Sequence, residues 1–272
     1  MHAHVAAALP APAKWRMATE WRAIGELGTA LTTWPLLVAA AQRGDGHPVL
    51  VLPGFLAGDA STYVTRAFLA QTGFDPYGWE LGRNMGGIRK MRAGLAARLE
   101  AIYARTNRRV SIVGWSLGGV YARDLAHSHP EIVRYVVGLA SPLTRDLRSA
   151  NTGKLYARAA KEDADPAGGD APGMLAREFD RLAGDLACPA TAMYSRCDGI
   201  VNWRTCLIAQ GPRSENLEVA LASHTGFGIN AAALLAVADR LAQADGAFAP
   251  FVPRGPLARL YRSQAVDRDE SL

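Results

Sequence analysis

Cysteine is scarce in this chain of 272 residues: Cys188, Cys197 and Cys206 are an odd three, with no Cys-x-x-Cys among them. That excludes a disulfide framework and a cysteine-built zinc site, and it fits a reducing compartment. No apolar run reaches the length of a membrane span. The apolar Val5–Leu9 is short for a signal-peptide core and no basic residue precedes it, so a cytoplasmic protein is expected. Clustered charge is also missing. The net charge of +5 comes from scattered arginines, apart from a short group at Arg105, Arg108 and Arg109. Without a basic stripe, interleaved aromatics or a zinc-finger, RNA-recognition or basic-helix pattern, nucleic acid is excluded as a partner. A glycine-rich phosphate loop with lysine is absent too, and "GWSLGG" does not fit Gly-x-Gly-x-x-Gly, which excludes a nucleotide site of that kind. No metal or organic cofactor is implied.

What is present is the composition of a globular protein, 49% hydrophobic and 20% charged, in a chain long enough for a sizeable core. Residues 1–44 read as an N-terminal helical arm. Its first dozen residues are Ala/Pro-rich, and helices are expected from Thr19 to about Ala41, with Thr19 as N-cap and a break at Trp34-Pro35. The arm is expected to pack on the domain, and its amphipathic character also allows weak contact with a membrane surface. From residue 45 to 250 the pattern alternates strand and helix. "PVLVLPGF" is a continuous apolar run, as a buried parallel strand reads. Further strands are expected at Tyr77–Leu81, Val110–Val113, Arg134–Leu139, Thr191–Tyr194 and Leu217–Ala220. Helices are expected at Ile88–Arg105, Leu117–Ser128 and Ala231–Ala242. This is an α/β fold, a mainly parallel sheet flanked by helices. Leu143–Ala187 interrupts the rhythm with the turn-rich "DADPAGGDAPG" and is expected to be a small cap-like insertion over the strand ends. Residues 251–272 read as a peripheral tail.

One junction carries chemistry. "RRVSIVG" is a β-branched run, "LGGVYARDLAHSHP" is a helix pattern stopped by Pro130, and Ser116 sits between them in Gly-x-Ser-x-Gly. With 27 glycines the match alone is modest, but its place between strand and helix is what a nucleophile elbow requires. Gly114, Gly118 and Gly119 leave room for the strand and the helix to approach, and the helix N-terminus favours negative charge at the serine. A serine hydroxyl needs a base. His2 and His4 lie in the loose N-terminus, His47 enters the first strand from its far end, and His127 and His129 close the helix after Ser116. His224 in "LASHTGFG" follows the last core strand and so shares a rim with Ser116. The carboxylate that would orient it is Asp198 in "YSRCDGIV", with Asp146 as the alternative. An oxyanion hole needs two backbone donors. Leu117 supplies one, and the loop after the first core strand supplies the other, from Phe55 or, next, Leu56.

With "VLVLPGF", "VGWSLGG", "YSRCDGIV" and "SHTGFG" in this order, the chain resembles the α/β-hydrolases of the bacterial lipase/esterase kind over roughly residues 48–242. It departs from most of them at Pro53-Gly54, where they carry His-Gly. The resemblance implies hydrolysis of carboxylic esters through an acyl-enzyme, with Ser116, His224 and Asp198 as the triad. The large apolar residues on or near these loops, Leu56, Trp115, Trp203 and Phe227 beside Phe55, are expected to bind the substrate and favour an acyl chain over a sugar or peptide. The expected partner is therefore a small-molecule or lipid ester. An acyltransferase with the same triad, and a catalytically silent binding protein of the same fold, are the competing readings.

Overall fold

The structure is a computed structural model that describes residues 9–144, 147–155 and 179–263. Asp146, most of the Val5–Leu9 run and the centre of the Leu143–Ala187 insertion lie outside the described residues. Among the described residues seven strands form one sheet: β1 Pro48–Leu52, β2 Asp75–Gly78, β3 Val110–Trp115, β4 Val133–Leu139, β5 Ala190–Tyr194, β6 Ser214–Val219 and β7 Tyr261–Ser263. Their order is β2-β1-β3-β4-β5-β6-β7, parallel except for the antiparallel β6–β7 pair. The α-helices lying wholly among the described residues are α1 Lys14–Ala18, α2 Ala23–Thr32, α3 Trp34–Ala40, α4 Tyr63–Gln71, α5 Ile88–Thr106, α6 Leu117–Ser128 and α7 Ala231–Leu241.

The continuous apolar runs arise because both faces of the sheet are covered. Along β1, Val49 and Val51 join a core with α2, α3, α4 and α7, while Leu50 and Leu52 join a second core with α5 and α6. Successive side chains point to opposite faces, so each must meet a helix. Each such fully buried Leu or Val contributes about 1.5–3 kcal/mol relative to exposure.

Four local expectations are corrected. β2 is Asp75–Gly78 rather than Tyr77–Leu81, because the amides of Trp79 and Glu80 donate to the Asp59 carboxylate at 2.9 and 3.1 Å instead of continuing the ladder. Thr19 is not an N-cap: α1 begins at Lys14, and the Thr19 hydroxyl donates back to the Arg16 carbonyl at 2.7 Å. β6 starts at Ser214, three residues before the expected Leu217. The tail beyond Phe251 is not peripheral over its described part. Tyr261–Ser263 is the seventh strand, Phe251 and Tyr261 are buried edge to face at 4.8 Å, and the Tyr261 hydroxyl donates to the Ala232 carbonyl.

The break in the arm falls at Thr33, and Pro35 opens α3, where its missing N–H costs nothing. The arm packs on the domain through Glu20, Ala30 and Leu37 and leaves Trp15, Trp21, Ile24 and Leu36 exposed. Among the described residues no single helix is long and apolar enough to cross a membrane, although α1–α2 and α3, bent by 71°, pass that test as a pair.

Candidate active site

β3 ends at Trp115 and α6 begins at Leu117, so Ser116 must turn the chain from sheet to helix within one residue. It does so at φ 53° and ψ −120°, a conformation that L side chains rarely adopt. The surrounding close packing holds it there. A Cβ on Gly114 would collide with the backbone of Gly118 and Gly119, and one on Gly118 with the carbonyls of Leu52 and Pro53. The ends of β1 and β3 thus press against the first turn of α6. The Ser116 amide donates to the Leu139 carbonyl of β4 at 2.8 Å, which fixes the turn from the other side.

His224 lies in the loop after β6, and Asp198 in the loop after β5. The structure brings both to Ser116: His224 Nε2 is 3.0 Å from Ser116 Oγ, and His224 Nδ1 is 2.7 Å from Asp198 Oδ2. The other Asp198 oxygen, Oδ1, accepts the amides of Ile200 and Val201, both at 2.8 Å. An ionised carboxylate only accepts, so the imidazole carries its proton on Nδ1 and presents a bare Nε2 to the serine hydroxyl. His224 and Asp198 are buried. Burial pulls the His224 pKa down, but the charge and hydrogen bond of Asp198, with the charge of Glu20 behind them, overcome it and leave the pKa above the ordinary histidine value. Trp115 donates its indole N–H to the His224 carbonyl at 2.9 Å, tying the histidine loop to the serine turn. His47 is accounted for elsewhere, buried between Asp45 at 2.6 Å and Ser111 at 3.0 Å.

The loop after β1 lies directly over the serine: a Cβ on Gly54 would stand 3.3 Å from the Ser116 Cβ. Of the two donors expected there, Leu56 is removed, because its N–H is given to the Asn84 carbonyl at 2.7 Å. Phe55 and Leu117 both line the cleft at Ser116. Sequence reasoning missed Asn84, which is wholly buried. Its side-chain amide donates to the Pro53 carbonyl at 3.0 Å, while its Oδ1 accepts from the Tyr121 hydroxyl and the Gly86 amide, both at 3.1 Å. It therefore clamps the Pro53–Ala57 loop to α6. The glycines around it, Gly82, Gly86 and Gly87 with positive φ, were the available signal of a built turn.

The cleft over Ser116 encloses about 510 Å³, part of it open solvent, and its walls include Phe55, Leu117, Val120, Pro142, Phe179 and Val201. The expected substrate contacts are corrected accordingly. Phe227 is fully buried in the core shared with α7. Trp203 stacks on Tyr194 at 5.3 Å, with Arg196 and Arg204 over its ring. Trp115 faces the histidine loop, and neither it nor Leu56 lines the cleft. Both ends of the Leu143–Ala187 insertion do reach it, through Gly153 and Phe179. Its return segment is anchored below, where Leu182 and Leu186 are buried and the Arg123 guanidinium donates to the carbonyls of Leu182 and Gly184. Among the described residues no group of three or more His, Cys, Asp or Glu could hold a metal ion.

No protein-family model and no curated protein matches the sequence. Solved structures do match in shape. Aspergillus fumigatus lipase B superposes with a TM-score of 0.52 at 17% identity, over 78% of this chain and 58% of that one. This chain thus spans less than two thirds of that lipase's length. A Paleococcus ferrophilus monoacylglycerol lipase superposes with a TM-score of 0.52 at 14% identity, over 73% of this chain and 96% of that one.

Proposed function

The chain has the α/β-hydrolase fold, and on that premise we propose that it is a serine hydrolase cleaving carboxylic esters with an apolar acyl chain. The observation that carries the reading is the unbroken relay Ser116 Oγ–His224 Nε2 and His224 Nδ1–Asp198 Oδ2, at 3.0 and 2.7 Å, on a serine with positive φ at a helix start.

In this reading the Ser116 oxygen attacks the ester carbonyl carbon while its proton passes to His224 Nε2. Asp198 stabilises the imidazolium that results. The carbonyl oxygen becomes an oxyanion, held by the N–H groups of Leu117 and Phe55 and by the N-terminus of α6. Collapse breaks the bond to the alkoxy oxygen, which takes the proton from His224 and leaves as the alcohol. Water, deprotonated by the same imidazole, then releases the acid and restores Ser116. The apolar walls of the cleft support an acyl chain as the part bound there.

The test is covalent. A fluorophosphonate probe is expected to label Ser116 in the wild type and neither S116A nor H224A, and the wild type is expected to hydrolyse p-nitrophenyl acyl esters. Labelling of the wild type no stronger than of S116A refutes the reading.

A further inference from the structure

The N-terminal arm reaches the relay from outside it. Glu20, in the short turn between α1 and α2, is buried although it belongs to a largely exposed segment. Its Oε1 accepts the amides of Gly199 at 2.8 Å and His224 at 3.2 Å; its Oε2 accepts the Thr225 amide and hydroxyl, both at 2.9 Å. Gly199 follows Asp198 directly. One carboxylate therefore ties the backbone of the acid loop to that of the histidine loop. The approach is close enough that a Cβ on Gly199 would collide with the Arg16 carbonyl and stand 3.0 Å from Glu20 Oε1.

Two neighbours on the arm repeat the pattern. Arg22 donates to the carbonyls of Cys197 and Ala222, at 2.5 and 3.2 Å, so it also bridges the two loops. Glu26 accepts the Ser223 amide at 2.9 Å and the Asn230 side chain at 3.0 Å. A segment that only covered the sheet would bury apolar surface there. This one instead sends two carboxylates and a guanidinium to backbone groups next to Asp198 and His224.

We propose that Glu20 is a positioning residue, the buckle of a strap formed by the arm, which holds the acid and histidine loops at the spacing the relay needs. The proposal rests on the triad reading for its kinetic consequence, but its structural content stands apart from it. Glu20 also acts on the imidazole through its charge, beside Asp198. Burial lowers the His224 pKa, and Asp198 and then Glu20 raise it, while Arg22 and Glu26 engage neighbouring loop groups. Burial likewise disfavours the Glu20 carboxylate, yet the amides of Thr225, Gly199 and His224 hold its pKa below the usual glutamate value. It is ionised wherever the relay works. Removing its charge lowers the His224 pKa and moves the acid limb of kcat/KM to lower pH.

The experiment uses the full chain as wild type, E20A and E20Q, with p-nitrophenyl ester turnover, fluorophosphonate labelling and backbone amide exchange. E20A removes all four acceptances. E20Q keeps one oxygen for Gly199 and His224 but turns an NH₂ toward the Thr225 amide. Misplacing reacting groups by about 1 Å costs on the order of a hundredfold, so E20A is expected to lose about tenfold or more in kcat, and E20Q less. KM is expected to stay within about threefold in both, the loss residing in the reacting geometry rather than in ground-state binding. In both variants the acid limb moves down, and exchange quickens at Gly199, His224 and Thr225 while the amides of β1 and β3 keep their protection. Should E20A fail to fold, E20Q carries the same readings. Wild-type kcat with an unmoved acid limb overturns the proposal, as does unchanged exchange at those three amides. A wild type that neither labels nor turns over ester defeats the triad reading instead, and the exchange pattern alone then decides whether Glu20 orders the two loops.

Discussion

Replacing Asp198 with asparagine changes one atom's chemistry while preserving shape, and the hydrogen bonds around it dictate the outcome. Oδ1 is held by two backbone donors, Ile200 and Val201, at 2.8 Å each. An asparagine has a single oxygen, and those amides claim it, which turns the NH₂ toward His224. The imidazole then accepts at Nδ1 and carries its proton on Nε2, so it faces the Ser116 hydroxyl as a donor rather than as a base. The loss is therefore that of the wrong tautomer, about 10⁴-fold in kcat, or about 5.5 kcal/mol of barrier. Because the two backbone acceptances survive and the side chain keeps its volume, stability is expected to fall by only about 1 kcal/mol, as a charge-assisted bond to His224 gives way to a neutral one. Initial rates on a p-nitrophenyl ester, read beside a thermal melt, separate the two. Turnover within tenfold of wild type in a folded D198N protein would refute the reasoning and return attention to Asp146.

Three further expectations follow from groups the relay does not contain. N84A removes the ties to Pro53, Gly86 and Tyr121; stability is expected to fall by about 3 kcal/mol in urea unfolding, and kcat by about 10²-fold as the proposed Phe55 donor loses its place. Alanine at Gly118 meets the Leu52 and Pro53 carbonyls, so G118A destabilises by about 2 kcal/mol or more and lowers Ser116 labelling, whereas G28A on the arm, with nothing near its Cβ, does neither. The third concerns acid. Burial and nearby arginines, outweighing the Asp45 contact, hold the His47 pKa down at about 4 against an ordinary 6.5. A histidine depressed on folding leaves stability intact above pH 6.5 and withdraws it as pH falls toward 4, by up to roughly 3 kcal/mol. Unfolding curves at pH 7 and 4.5 should lie closer together in H47N than in wild type, and an equal separation in the two proteins contradicts this account.

How much of this was legible in the residues depends on whether a neighbour in sequence or a neighbour in space decides. That Ser116, Asp198 and His224 lie together was readable because each is placed by chain order: a strand ends, and the next residues stand on one rim. The α6 bounds were readable because Gly-x-Ser-x-Gly starts that helix and His129-Pro130 ends it. Trp203 and Phe227 misled because a large apolar residue near a loop can turn inward as easily as toward a cleft, and packing against Tyr194 and the α7 core decided for both. Glu20 and Asn84 were illegible for the opposite reason. Each is a single polar residue in an unremarkable local context, and its importance arises only from backbone brought in from distant positions, such as Gly199 and His224 for Glu20. Three residues of β7 are too few to show a period.

That last strand has a practical consequence. Along β6 it covers Leu217, Glu218 and Val219, whose outward peptide groups would otherwise face water as a bare margin, ready to template another polypeptide. A protein clipped before Tyr261 would keep the Ser116, His224 and Asp198 arrangement yet display that margin, and we expect it to precipitate rather than lose the proposed activity.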